Sequence, residues 1–236
     1  MTTSDGRQVL TQYDTTKWRA IQRELAKKVI KRDYLSKPPK LIAGVDTAYS
    51  GDEAFSAVVV LDYQTLQPVE TKTVRCTVKV PYIPTFLFFR EVEPMTKAIA
   101  KSSKAVDVFL VNAHGVAHPE RCGCASHLGV SLDIPTIGVT SEVLCGEISD
   151  SGNGKTKYLK SGEEIIGSVL LSKAGFKPIF VSVGHKVSLE SAIQIVQKTT
   201  RGSRMPEPLR LAHLASNEAK KTWRKEANQE SGINSR

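Results

Sequence analysis

The 236-residue chain is 40% hydrophobic and 24% charged, enough for one globular domain that buries about 70–75% of its unfolded surface, and its apolar runs fall far short of the ~20 residues that a membrane span needs. The polar start MTTSDGRQ has no apolar signal segment, and four cysteines, Cys76, Cys122, Cys124 and Cys145, are too few for a disulfide scaffold, so an intracellular, cytoplasmic chain is expected, with nuclear or nucleolar residence open. Ten Lys and Arg stand against four Asp and Glu over 1–40, eight against thirteen over 41–150, and fifteen against seven over 151–236, for a net charge of +9; a basic frame around an acidic middle suits a nucleic-acid enzyme with a carboxylate metal centre, or a merely solvated basic surface.

Thr15 or Thr16 can cap a first helix in which Trp18, Ile21, Leu25 and Val29 recur at spacings of three and four and form one apolar stripe. LIAGVDTAYS (41–50), AFSAVVVLDY (54–63) and PVETKTVRCTVKV (68–80) are β-rich segments joined by short polar turns, an antiparallel meander. A helix opened by Pro94 is expected over 94–104, a buried strand over 106–112, a short helical stretch over 120–131 and a short strand over 134–139. Two more strands cover 163–171 and 177–185, and Ser188 caps a helix over 189–200. Strands in succession, then alternating with helices, predict an α/β fold with a mixed central sheet flanked by helices. Residues 149–162 are expected as an exposed flexible loop and 217–236 as a basic, disordered tail behind a single domain over 1–216.

Asp46 lies inside an apolar strand between Val45 and Thr47, where an unpaired carboxylate costs several kcal/mol. A buried Lys or Arg would answer it, but the neighbouring segment has neither, and a metal ion is the stronger reading. Glu91, taken alone, suits the first turn of a helix. The densest polar cluster, VNAHGVAHPERCGCASHLG (111–129), sets three histidines directly after a buried strand, where functional loops concentrate. Its Cys-x-Cys-x-x-His spacing lacks a fourth zinc ligand, and no phosphate-cradling Gly-x-x-x-x-Gly-Lys loop or nucleophile elbow occurs.

Six motifs then occur in order: GVDTAY (44–49), VPYIPTFLFFRE (80–91), NAHGVAHPERCGCASHLG (112–129), IPTIGV (134–139), VSVGH (181–185) and RMPEPLRLAH (204–213). From about Trp18 to Ser216 the chain resembles the endonuclease V family. The resemblance implies a ribonuclease H-like fold and a nuclease that recognises inosine, deaminated adenosine, in DNA or RNA and cuts a phosphodiester 3′ of it with Mg²⁺ or Mn²⁺. The implied partner is inosine-containing nucleic acid, with no membrane and the protein acting as a monomer.

The resemblance also implies site residues. Asp46 and Glu91 match two of the family's metal carboxylates, and the third matches Asn112, an amide with one neutral acceptor oxygen where the family has Asp. His213 matches a fourth metal position, at which most members carry Asp. His118 matches a histidine near the cut phosphate. Thr140 and Ser141 stand where the family carries a lysine beside that phosphate, and Ser141 takes its place without the charge. Pro81, Tyr82, Ile83 and Pro84 match a wedge that fills the space of an extruded base, with Thr85 replacing a glycine. Gly115 and Gly138 match the pocket for that base. The two departures that strike the chemistry, Asn112 and Ser141, leave a second reading: an impaired relative that binds inosine-containing strands without efficient cleavage.

Overall fold

The computed structural model describes residues 13–35, 38–150, 157–171 and 175–233, the side chains of the last four excepted. One nine-stranded sheet spans it: β1 (Leu41–Ser50), β2 (Glu53–Asp62), β3 (Pro68–Thr77), β4 (Val108–Val111), β5 (Thr136–Thr140), β6 (Glu147–Asp150), β7 (Lys157–Ser161), β8 (Glu164–Leu170) and β9 (Ile179–His185), in the order β3-β2-β1-β4-β5-β9-β8-β7-β6. The first three strands form the expected antiparallel meander, β4 and β5 run parallel to β1, and the rest pair antiparallel. This is the mixed, helix-flanked α/β sheet expected from the alternation of elements.

Five helices accompany the sheet among the described residues: α1 (Thr15–Ala26), α2 (Phe88–Ala100), α3 (Cys124–Leu132), α4 (Leu189–Thr199) and α5 (Glu207–Ile233). Side chains alternate across a strand, and β1 shows the consequence. Ile42 joins a core with Leu110, Ile195, Leu209 and Ala212, under α4 and α5. Ala43 and Val45 join the opposite core with Phe88, Met95 and Leu128, under α2 and α3. Asp46 has the parity of Ile42 and therefore faces α5. Gly44 sits between them because the helix comes that close: a Cβ there would lie 2.0 Å from the Pro208 carbonyl oxygen.

Several boundaries differ from expectation, each for a local reason. The cap of α1 is Asp14, whose carboxylate accepts the Lys17 N–H at 2.9 Å. The buried residue of that helix is Gln22, while Ile21 is exposed and Val29 lies beyond the helix end. Helix α2 begins six residues before Pro94, which sits in its interior; the aromatic cluster of Trp18, Phe86, Phe88 and Phe89 secures the added turns. The stretch 149–162, expected as a loop, contributes to strands β6 and β7, with Leu159 buried as their anchor; residues 151–156 lie outside the described ones. Residues 217–233, expected to be a disordered tail, continue α5. The Trp223 ring lies 5.5 Å from that of Phe55, and Arg224 Nε donates to Ser50 Oγ at 2.9 Å; residues 234–236 lie outside the described ones. The four cysteines are free thiols. No helix among the described residues is long and apolar enough to cross a membrane.

Candidate active site

The parallel pair β1 and β4 brings Asp46, in the middle of β1, beside Asn112, the first residue after β4. The Asn112 N–H continues the ladder by donating to the Val45 carbonyl at 3.1 Å, and its side-chain Nδ2 donates to Asp46 Oδ1 at 3.0 Å. The other carboxylate oxygen, Oδ2, accepts from His213 Nδ1 at 2.8 Å, delivered by α5. Asp46 is thus buried with an amide and an imidazole as partners, neither of the basic side chains its burial first suggests.

Glu91 comes from the first turn of α2 and is 8% exposed. Tyr49 OH donates to its Oε1 at 3.4 Å. Burial, and then the neighbouring Asp46 carboxylate, push the Glu91 carboxyl up to about 8. The adjacent Arg90 does not pair with it: the guanidinium donates to the Val80 and Gly51 carbonyls and stacks 4.3 Å from the Tyr49 ring centroid. Among the described residues, then, no Lys or Arg is bonded to either carboxylate. The donors on offer are carboxylate and amide oxygens and an imidazole nitrogen, the types that hard divalent cations accept. Asn112 spoils the set in one respect, because its N–H₂ already occupies an Asp46 oxygen. Among the described residues no three His, Cys, Asp or Glu side chains stand grouped as a metal cage.

Beside this centre lies a cleft of about 270 Å³ whose lining includes Tyr82, Thr85, Asn112, His114, His118 and Ser141. Tyr82 stands at its mouth, 66% exposed, while Ile83 is buried beneath the loop and Pro84 is exposed; Pro81 is half-buried. The loop turns where Phe86 N–H donates to the Ile83 carbonyl at 3.0 Å, with Thr85 at φ +70° in the third position of the turn. Proline second and positive φ third is the signature of a type II turn, which favours glycine at the third position. Thr85 occupies it nonetheless.

His118 is neutral and fully engaged. Its Nε2–H donates to the Thr85 carbonyl at 2.9 Å, and Nδ1 accepts the Glu120 N–H at 3.1 Å. Burial pushes its pKa down to about 4. Neither ring nitrogen is left to face a phosphate in this arrangement. His114 Nε2 is held by the Glu142 carbonyl at 3.0 Å, and Arg204 grips the Ser141 and Pro178 carbonyls at 2.8 and 2.7 Å, so the start of the 140–144 wall is tied down from two sides. Gly115 and Gly138 lie one layer deeper than the cleft. A Cβ on Gly115 would meet the Val183 oxygen at 2.1 Å, and one on Gly138 would meet the Gly115 nitrogen at 2.4 Å; they let three backbone segments pack in contact.

The structure therefore gathers Tyr82, Asn112, His118 and Ser141 around one cleft, bonds Asp46 to both Asn112 and His213, and sets Glu91 near enough to Asp46 for the two charges to interact. The sequence reading missed His114 as a wall residue and Gln22 as a buried one. The signal for Gln22 was a polar residue on the side of α1 that turns inward.

A mixed α/β sheet that sets a strand carboxylate, Asp46, and a helix carboxylate, Glu91, next to a cleft fits the class of metal-assisted hydrolases, and comparison with known proteins narrows it. The Endonuclease V family model matches residues 23–214. An endonuclease V of Thermofilum pendens is 44% identical over 197 residues, 83% of this chain and 84% of that protein. The crystal structure of the Streptomyces avermitilis endonuclease V superposes with a TM-score of 0.81 at 37% identity, covering 88% of this chain and 93% of that one. The Ciona intestinalis endonuclease V, crystallised with a 24mer DNA containing an inosine followed by a ribo-adenosine, gives a TM-score of 0.81 at 32% identity over 88% of this chain and 98% of that one. The chain belongs to the endonuclease V family, whose members are nucleases acting on inosine-containing nucleic acid.

Proposed function

We propose that this chain recognises inosine in a DNA or RNA strand and hydrolyses a phosphodiester 3′ of it with Mg²⁺, Mn²⁺ being able to replace it. The observation that carries the reading is the juxtaposition of two buried carboxylates, Asp46 and Glu91, with a cleft whose mouth carries the exposed ring of Tyr82. Asp46, Glu91, the Asn112 amide oxygen and His213 would hold the cation, which when bound neutralises charge on the phosphate and activates the attacking water. Tyr82, stiffened by Pro81 and Pro84, stacks where the extruded base had been, and Ile83 roots the loop in the core. Gly115 and Gly138 keep the backbone under the cleft compact, so that main-chain groups reach the base. His118, with both nitrogens engaged, serves the cleft by holding Thr85.

Asn112 favours a second reading, an impaired relative that binds without efficient cleavage, because its amide both lacks a charge and caps an Asp46 oxygen. Ser141, where the family carries lysine, points the same way. Incubation with end-labelled inosine-containing RNA and DNA in Mg²⁺ and then Mn²⁺ separates the two. Product 3′ of inosine is expected; inosine-dependent binding with no product in either metal would establish the second reading.

A further inference from the structure

Helix α1 buries one side chain completely, and it is polar: Gln22. Its Nε2 donates to the Thr85 carbonyl at 2.7 Å, while its Oε1 has no hydrogen-bond partner among the described residues. An apolar side chain of the same length would fill this space without leaving an oxygen unpartnered. What Gln22 adds is the single donated hydrogen. That hydrogen meets the same carbonyl that accepts from His118, so Thr85 is held from α1 on one side and from the loop after β4 on the other. Helix and loop are themselves joined, since Arg23 Nε donates to Glu120 Oε2 at 2.7 Å and Arg19 Nη1 to Glu120 Oε1 at 3.3 Å. The gripped residue has a strained backbone of its own, a β-branched side chain at φ +70°.

We propose that Gln22 is a positioning residue for base recognition: with His118 it clamps the Thr85 carbonyl, holds the turn of residues 83–86 against its strain, and so fixes Tyr82 at the mouth of the cleft. Its consequence for inosine rests on the function proposed above; the clamp itself does not.

The test uses the full chain, with Gln22→Met, Thr85→Gly and the double variant. Deuterium exchange over residues 80–90, without nucleic acid, reads the clamp, and competition between matched oligonucleotides carrying inosine or adenosine reads recognition. Losing one hydrogen bond to a strained turn is expected to speed exchange at the Phe86 amide about tenfold in Gln22→Met and to cut the inosine preference by about the same factor, with the melting temperature held or raised. Adding Thr85→Gly, which removes the strain, restores both. Unchanged exchange at Phe86 overturns the proposal. So does faster exchange spread evenly over the chain with a lowered melting temperature and no rescue by Thr85→Gly, because that marks a packing role alone. Loosened exchange in Gln22→Met beside a wild type that prefers neither base supports the clamp and defeats the inosine reading.

Discussion

A branched residue in the left-handed region crowds its own carbonyl, at a cost of order 1–3 kcal/mol. Thr85→Gly removes that cost and adds back some chain entropy, so the variant is expected to be more stable by about 1 kcal/mol in urea unfolding. Tyr82 is exposed, and Tyr82→Ala is expected to lower inosine binding by about 1–3 kcal/mol, as one lost stack should, with the melting point unmoved. A sharp drop in melting temperature at fixed inosine preference would make Tyr82 a core residue. At the metal-binding candidates, Asn112→Asp exchanges an amide that caps Asp46 for a third carboxylate beside Asp46 and Glu91, and both Mg²⁺ affinity and cleavage rate are expected to rise; Asp46→Ala is expected to abolish cleavage, and Ser141→Lys alone to help less than Asn112→Asp. A cleavage assay across these variants decides, and robust wild-type activity left unchanged by Asn112→Asp would show that residue 112 is no ligand. Asp46 was legible because a carboxylate inside an apolar strand has few physical explanations. The role of Gln22 was not: periodicity shows its inward side of α1, but its one useful bond reaches a residue 63 positions away, and nothing local marks that partner.

Among the elements, strands β1, β2, β4 and β5 follow from their apolar runs, since burial on both faces leaves a strong signal, while β3, largely exposed, follows from its β-branched residues and the short turn before it. The hairpin of β6 and β7 left a weak one: its strands are largely polar, and Leu159 alone is deeply buried. The distal half of α5 was equally faint. Its aromatic contact with the sheet is Trp223 against Phe55, with the Arg75 guanidinium 5.5 Å from the indole, and Arg224 adds a bond to Ser50. Trp223→Ala is accordingly expected to cost about 1–2 kcal/mol in urea unfolding, below the loss typical of a fully buried tryptophan because the ring is only half-buried. No loss would mean that the distal helix is held by its own propensity.

For the whole molecule, charge and burial set the responses to solution. With a formal charge of +9, the proposed function predicts that affinity for an inosine-containing strand falls at least about tenfold between roughly 50 and 200 mM salt, as counterions released at several contacts dictate; a dissociation constant indifferent to salt would rule out a phosphate clamp. Burial pushes His118 and His127 both down to about 4, against roughly 6.5 in an unfolded chain. Between those values the unfolded state takes up protons that the folded state refuses, so the stability in question is complete above about pH 6.5 and is lost as pH falls toward 4, by ~1.4 kcal/mol per pH unit for each histidine. His127 packs 4.0 Å from Phe88 and its Nδ1 has no partner among the described residues. His127→Phe is expected to remove about one proton from the slope of unfolding free energy between pH 7 and 5, and an unaltered slope would mean that this histidine titrates normally.

The bond between Asp46 and His213 joins residues 167 positions apart, and this has a meaning in time as well as space. Synthesis runs from the N-terminus, so Asp46, Glu91 and Asn112 exist long before the helix that brings His213. Until that helix docks on β1, with the Pro208 carbonyl against Gly44, the Asp46 carboxylate lacks its imidazole and the centre is unfinished. A nascent chain therefore carries Asp46, Glu91 and Asn112 with that bond unmade until the helix bearing His213 has been synthesised and docked.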